Sequence, residues 1–99
     1  MKVVAFNGSP SHEGNTVILL RKVLSPIARA GIDTELVQVG GLALSGCTAC
    51  YQCFKEKDRR CAINSDIVNE CIAKMVEADC IIMGSPSYFS GMTSGLKAL

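Results

Sequence analysis

The sequence predicts an α/β domain whose strands form a parallel sheet. Three short apolar runs, typical of buried or edge strands, alternate with two segments that repeat apolar residues at helical spacing. Strands that alternate with helices in this way form parallel sheets through right-handed crossovers. Such sheets bind their ligands at the carboxyl ends of the strands. We therefore expect functional residues in the loops that follow the strands.

A buried strand and an amphipathic helix open the chain. A continuous apolar run, residues 2–6, ends at Asn7 and Gly8, which indicates a strand covered on both faces. After a polar loop, apolar residues recur at helical spacing: Val17, Leu20, Val23, Leu24, Ile27 and Ala28. Gly31 stands where the C-terminal cap of this helix belongs, and Pro26 is expected to bend the helix axis.

The remaining elements repeat the alternation. Residues 35–39 form a second strand with the partial alternation of an edge strand. A second helix, which Ser65 or Asp66 can cap, has these residues on its apolar face: Ile67, Val68, Cys71, Ile72, Met75 and Val76. Residues 80–83 form a third strand that is expected to be buried, and residues 96–99 begin a further helix.

Length, composition and charge limit the kinds of protein that this sequence can encode. Ninety-nine residues suit one small domain, and a formal charge of +1 gives no basic stripe for nucleic acid. The sequence lacks the run of roughly twenty apolar residues that a membrane crossing requires, and its first residues do not form a signal peptide. Nothing points to export, so the six cysteines indicate a reduced, cytoplasmic protein.

Two similar turns follow the first and third strands. Each is Gly-Ser-Pro, at residues 8–10 and 84–86. Because parallel strands end at the same edge of a sheet, we expect the two polar loops to lie side by side and to face a common crevice.

The first of these loops has side chains suited to phosphate. Ser9, Ser11 and Thr16 offer hydroxyl groups, Asn15 offers an amide, and a helix start offers backbone N–H groups. The sequence has neither the dinucleotide-binding fingerprint nor the lysine-containing loop of nucleoside triphosphatases. A monophosphate such as that of FMN fits best. A capping turn with incidental serines is the alternative.

The second loop has side chains suited to a flat ring. Tyr88 and Phe89 offer apolar surface, and the Ser and Gly backbone around them offers donors for a ring edge. The alternative is a pair of aromatic residues that cover the end of the sheet. The position beside the first loop favours a flavin.

Four cysteines lie within one loop, residues 47–61, at the spacing Cys-x2-Cys-x2-Cys-x7-Cys. Three thiolates at steps of three residues can surround one centre and a fourth can close it, as a [4Fe–4S] cluster requires. Empty or oxidised cysteines and a zinc site are the alternatives. Cys71 and Cys80 belong to the apolar face of the second helix and to the third strand, so core packing accounts for them.

Taken together, these motifs resemble the flavodoxin-like NADPH-dependent FMN reductases. Residues 8–10 with 14–16, and 84–88, resemble the two flavin-binding signatures, and the cysteine run resembles that of the iron–sulfur flavoprotein branch. The resemblance implies that the FMN phosphate is held by Ser9, Ser11, Asn15 and Thr16. It implies that the flavin ring is lined by Pro86, Ser87, Tyr88, Phe89 and Gly91. It implies that the [4Fe–4S] ligands are Cys47, Cys50, Cys53 and Cys61.

The resemblance also implies that the protein forms a homo-oligomer and that its chain is longer than these 99 residues. Members are homodimers or dimers of dimers, and many carry arginine where this chain has Ser11. Their doubly wound parallel sheet has five strands in the order 2-1-3-4-5, of which this sequence supplies three, in the order 2-1-3. A third loop of the flavin site is also missing. We therefore predict that residues 1–99 are the N-terminal part of a longer, truncated flavodoxin-like domain.

Three functions remain open. The first is electron transfer between the cluster and FMN, with a ferredoxin-like donor. The second is an NAD(P)H-dependent FMN or quinone reductase in which the cysteine loop plays no redox part. The third is a zinc-binding module without redox activity. The paired Gly-Ser-Pro turns and the aromatic loop favour the first two.

Overall fold

A three-stranded parallel sheet forms the centre of the molecule. The computed structural model describes residues 1–11, 13–63, 66–88 and 90–99. Its strands are β1 (Lys2–Asn7), β2 (Asp33–Gln38) and β3 (Cys80–Gly84), and their order is β2-β1-β3. The register places Ala5 opposite Leu36 on one side and Ile82 on the other. The predicted α/β fold and the strand order 2-1-3 are confirmed.

Four helices accompany the sheet. They are α1 (Asn15–Arg29), α2 (Gln52–Glu56), α3 (Val68–Glu77) and α4 (Ser94–Ala98). α1, α3 and α4 match the predicted helices, whereas the short α2 lies inside the cysteine loop and was not predicted. Gly31 follows the end of α1 with a φ of 84°, the left-handed conformation expected after a C-terminal cap.

β1 separates two layers of the core, because successive side chains of a strand point to opposite faces. On one face, Val3 and Ala5 pack with the buried leucines of α1, Leu20 and Leu24. The other face holds the second part of the core: Val4, Phe6, Val39, Cys71 and Leu96. Since helices cover both faces, the arrangement is the doubly wound one that the sequence predicts.

The expectation of a buried third strand is wrong for most of its length. Ile81 and Met83 are 42% and 55% exposed, although their partners in the register, Val4 and Phe6, are fully buried. β3 lies at the edge of the sheet, and in the part of the chain that the structure describes no strand pairs with its outer side. Cys80 is exposed for the same reason, so core packing does not account for it.

Cys71 behaves as expected. Its side chain is fully buried within the core cluster beneath α3. Burial raises the pKa of this thiol, because the apolar surroundings disfavour the thiolate. Cys71 is therefore a packing residue.

An ion-pair network ties the edge strand β2 to β1 and α3. The Glu35 carboxylate on β2 lies 2.5 Å from Lys74 Nζ on α3 and 3.4 Å from Lys2 Nζ on β1. The hydrogen bond from Lys74 is the main cause that lowers the pKa of Glu35, and the same bond raises the pKa of Lys74. Because the pKa of Glu35 is lower in the folded state, the network stabilises the fold above the ordinary carboxyl pKa of 4.5. That stabilisation is lost as the pH falls through the folded pKa.

The variant Glu35→Gln is expected to lower the melting temperature by a few degrees at pH 7 and to leave it unchanged in strong acid. The effect stays small because solvent screens these partly exposed side chains. Thermal unfolding followed by circular dichroism from pH 7 to below pH 3 measures it. Glu77→Gln, an exposed change at the C-terminal end of α3, is the matched control. An equal loss for Glu35→Gln at both ends of the pH range would contradict this electrostatic account.

Candidate functional site

The loops after β1 and β3 and the chain immediately after β2 meet at one edge of the sheet. We call residues 8–14 loop 1, residues 85–93 loop 3 and residues 47–61 the cysteine loop. The Gly8 N–H donates to the Gly84 carbonyl at 2.7 Å, and the Gly40 N–H donates to the Asn7 carbonyl at 3.0 Å. The two Gly-Ser-Pro turns therefore lie side by side, and the chain after β2 passes against the first of them.

Thr93 fastens loop 3 to loop 1. Its buried hydroxyl donates to the Gly8 carbonyl at 2.6 Å and accepts the Leu96 N–H at 3.3 Å, as the N-cap of α4. The Thr93 N–H donates to Ser85 Oγ at 3.0 Å. Thr93 was not predicted as a site residue. The signal in the sequence is a threonine immediately before a short helix, a position where a cap is expected.

The side chains of Asn7 and Gln38 hold the backbone of loop 1 through hydrogen bonds. Asn7 is fully buried; its Nδ2 donates to Gln38 Oε1 at 2.7 Å and to the Ser11 carbonyl at 3.3 Å, while its Oδ1 accepts the Ser9 N–H at 3.0 Å. Gln38 Nε2 donates to the carbonyls of Ser9 and Gly40, at 2.7 Å and 2.8 Å. Neither residue was predicted to belong to the site. Their positions at the last residues of β1 and β2 are the signal that could have pointed to them.

The predicted phosphate residues surround the start of α1. Ser9 is buried, and its Oγ accepts the Ser11 N–H at 3.2 Å. Ser11 and Asn15 are exposed, and Thr16 is half-buried. Among the described residues no side chain caps α1 at Gly14, and its first turn carries no acidic residue.

The charges at this end of α1 fit a phosphate group. A helix N-terminus presents unpaired N–H groups and a partial positive charge, which together favour an anion. The acidic residue next to the turn, Glu13, pairs with Arg21 at 3.2 Å. Hydroxyls, an amide and uncapped N–H groups thus lie together without a carboxylate in the turn. The residues present fit the FMN phosphate.

Loop 3 borders an open cleft. The Tyr88 N–H donates to the Gly91 carbonyl at 2.8 Å, and the Gly91 N–H donates back to the Tyr88 carbonyl at 3.1 Å. Pro86 is half-buried, and Ser87 and Tyr88 are exposed. The cleft beside the loop has a volume of about 570 Å³ and is lined by Tyr88, Met92, Ser94, Lys97 and Ala98. Among the described residues predicted to line the flavin ring, Tyr88 is the one that lines this cleft. Phe89, which the sequence also assigns to the ring, lies outside the described residues.

The cysteine loop is open to solvent. Cys47, Cys50 and Cys53 are exposed, Cys61 is half-buried, and all four are free thiols. In the described ranges no three potential metal-ligating side chains converge on one point. The structure therefore brings the predicted ligands into one loop but does not gather their sulfur atoms.

The four thiols and the backbone N–H groups beside them nevertheless have the chemistry that an iron–sulfur cluster requires. The Ala49 N–H donates to Cys47 Sγ at 3.3 Å, and the Ile63 N–H donates to Cys61 Sγ at 3.4 Å. Hydrogen bonds of this kind stabilise negative charge on sulfur and help to set cluster potentials. Ala49 and Tyr51, on either side of Cys50, both have positive φ, a conformation that clusters at functional sites.

Comparison with known proteins decides the family. A profile of the family described as NADPH-dependent FMN reductase matches residues 1–99. The chain belongs to the NADPH-dependent FMN reductase family. Its resemblance to this family, predicted from the two Gly-Ser-Pro turns, is thereby confirmed.

Several proteins similar to this family member are named iron–sulfur flavoproteins. One from Methanocaldococcus jannaschii is 46% identical over all 99 residues of this chain, which cover 50% of its length. One from Archaeoglobus fulgidus is 33% identical over 99 residues, with 47% of its length covered. One from Methanosarcina thermophila is 29% identical over 99 residues, with 50% covered. The chain thus spans about half the length of these relatives.

Within the described ranges, no helix combines the length and the apolar character that a membrane crossing demands.

Proposed function

We propose that the protein is a flavin-dependent oxidoreductase that transfers electrons between FMN and a [4Fe–4S] cluster. The observation that carries this proposal is the junction of loop 1 and loop 3, where the Gly8 N–H meets the Gly84 carbonyl at 2.7 Å. This junction supports the proposal because it holds loop 1, which leads into α1, beside loop 3, which borders the open cleft. The family profile and the names of the relatives support a flavin-based redox role.

The two loops have different tasks in this proposal. The FMN phosphate is held by Ser9, Ser11, Asn15, Thr16 and the N–H groups that begin α1. The isoalloxazine ring is held by Pro86, Ser87, Tyr88, Phe89 and Gly91. Thr93 keeps the two parts in register, since it bonds the Gly8 carbonyl and Ser85 Oγ at once. When bound, FMN supplies a centre that accepts electrons singly or as a hydride.

The cysteine loop supplies the second centre. Cys47, Cys50, Cys53 and Cys61 offer four thiolates to a [4Fe–4S] cluster, which exchanges single electrons. The run from Lys55 to Arg60 contains four basic and two acidic residues. This excess of positive charge favours an anionic cluster and an acidic partner such as a ferredoxin-like donor.

The exposed aromatic side chains of the cysteine loop support a homo-oligomer. Tyr51 and Phe54 are 68% and 75% exposed, and aromatic residues are enriched in protein interfaces. We therefore propose that this loop contacts a second copy of the chain, in a dimer or a dimer of dimers.

A second candidate is an NAD(P)H-dependent reductase of FMN or quinones that works without a cluster. Two observations favour it. The description of the family names NADPH, and the four sulfur atoms do not converge within the described part of the chain. In this candidate a hydride passes from the nicotinamide to FMN, and the cysteines take no part.

Anaerobic purification separates these candidates. Flavin, iron, sulfide and zinc are measured on the same sample, which is then mixed with NADPH or with reduced ferredoxin. The first proposal predicts FMN, equal amounts of iron and sulfide, and rapid reduction by ferredoxin. Flavin without iron, reduced by NADPH, would favour the second candidate. A colourless protein that contains zinc would contradict both.

The variant Gln38→Leu is expected to weaken FMN binding about tenfold, because the three hydrogen bonds that the Gln38 amide makes at loop 1 are lost. The leucine cannot hold the carbonyls of Ser9 and Gly40, so the loop loses its fixed shape. Titration of the apoprotein with FMN, followed by the quenching of flavin fluorescence, measures the dissociation constant. Thr34→Val, on the same strand but away from the loop, is the matched control. Equal affinities of Gln38→Leu and the wild type would contradict this role.

A further inference from the structure

Asn69 is a buried polar residue whose side chain forms hydrogen bonds with the backbone of the cysteine loop. It lies in the first turn of α3 and is only 7% exposed. Asn69 Oδ1 accepts the Cys61 N–H at 2.6 Å, and Asn69 Nδ2 donates to the carbonyls of Cys61 and Ile63, at 3.0 Å and 3.4 Å. One amide thus holds both backbone polar groups of Cys61.

These bonds fix the short turn from Cys61 to Ile63. The same turn directs the Ile63 N–H towards Cys61 Sγ, at 3.4 Å. Cys61 is half-buried, whereas the other three cysteines of the loop are exposed. Of the four thiols, Cys61 is therefore held by the body of the protein, through α3.

We propose that Asn69 is a positioning residue that holds Cys61 as the preformed ligand of the [4Fe–4S] cluster and sets the reduction potential of that cluster. This inference rests on the proposed function, since it assumes that Cys61 is a ligand. An N–H donor to a ligand sulfur withdraws negative charge, which stabilises the reduced cluster and raises its potential. The remaining cysteines then close on a ligand that is already in place.

Only a side-chain amide satisfies the geometry at position 69. The turn needs one acceptor for the Cys61 N–H and two donors for carbonyl oxygens, and asparagine supplies both kinds. Aspartate has the same shape but would place a carboxylate oxygen against the carbonyls of Cys61 and Ile63. Because aspartate still accepts the Cys61 N–H and also adds a charge, Asn69→Ala, which removes the acceptor and both donors, is the discriminating variant.

The first test uses metal-free protein. Hydrogen exchange at the Cys61 amide and the rate of Cys61 alkylation, both followed by mass spectrometry, report on the turn. Both rates are expected to rise about tenfold in Asn69→Ala, the factor that the loss of a buried hydrogen bond implies. Glu70→Ala, an exposed change next to it on α3, is the matched control and should leave both rates unchanged. Circular dichroism checks that each variant retains its helices, and Asn69→Gln, which keeps the amide, should recover part of the protection.

The second test uses protein reconstituted with iron and sulfide under anaerobic conditions. The midpoint potential of the cluster is expected to shift to a lower value in Asn69→Ala, a change that adds no charge, and Asn69→Gln should recover part of that shift. An unchanged potential would overturn the role in tuning, and unchanged exchange in the metal-free protein would overturn the role in positioning. If the wild type takes up no cluster, the proposed function fails, and the first test still decides whether Asn69 holds the turn.

Discussion

Replacement of Gly40 by alanine is expected to destabilise the protein by about 3 kcal/mol and to abolish FMN binding, because no space exists for a methyl group. A Cβ atom at this position would lie 2.3 Å from the carbonyl carbon of Ser9 and 2.4 Å from the Gly8 oxygen. These atoms belong to the backbone and cannot rotate away. Either loop 1 or the end of β2 must move, and both belong to the proposed phosphate site.

Urea denaturation and FMN titration measure the two effects. Gly91→Ala is the control for stability, because among the described residues the atom nearest to its new methyl group would be the Tyr88 oxygen, at 3.9 Å. We expect the stability of that variant to stay within about 0.5 kcal/mol of the wild type. A Gly40→Ala protein as stable as the wild type would show that loop 1 is not packed against the chain after β2.

The second large effect is expected from the cysteines. Replacement of any one of Cys47, Cys50, Cys53 and Cys61 by alanine should abolish stable iron binding, because a cluster that lacks one ligand is open to solvent and loses iron. The fold should change little for the three exposed positions, which contribute nothing to the core. Iron and sulfide analysis after anaerobic reconstitution measures the loss.

Cys80 provides a matched control for these variants. Its side chain is also exposed, but it lies on β3, outside the cysteine loop. Cys80→Ala should therefore retain the iron content of the wild type. Full iron content in Cys50→Ala, or loss of iron in Cys80→Ala, would contradict the assignment of the ligands.

Regular elements of the fold were predictable because periodicity encodes them. The apolar run of β1 and the helical spacing in α1 placed those elements within about two residues of their observed ends. The burial of β3 was not predictable in this way. An apolar run specifies that a strand can be buried, whereas actual burial depends on what pairs with its outer edge. Cys80 was misjudged for that reason.

The residues that shape the site were harder to find. Asn7, Gln38 and Asn69 act through bonds between side chains and distant backbone groups, which no local pattern marks. Gln38 and Asn7, for example, are separated by 31 positions in the chain. α2 was missed because its five residues are all exposed and are too few to show a period.

For the cysteine motif, too, the sequence predicts one part of the site and leaves another part to the fold. The spacing of the cysteines predicts which residues can act as ligands, and the structure confines them to one loop with N–H donors at Cys47 and Cys61. Convergence of the sulfur atoms depends on contacts that the spacing does not specify. The assignment of Cys47, Cys50, Cys53 and Cys61 as ligands therefore stays a prediction.

The most direct test of the central claim is a reductive titration of the anaerobically purified protein, followed by visible absorbance. A redox pair of FMN and a [4Fe–4S] cluster should consume more reducing equivalents per FMN than flavin alone accepts, and a broad absorbance from iron and sulfur should bleach along with the flavin bands. Consumption equal to that of flavin alone, with the flavin bands as the only absorbance that changes, would contradict the claim.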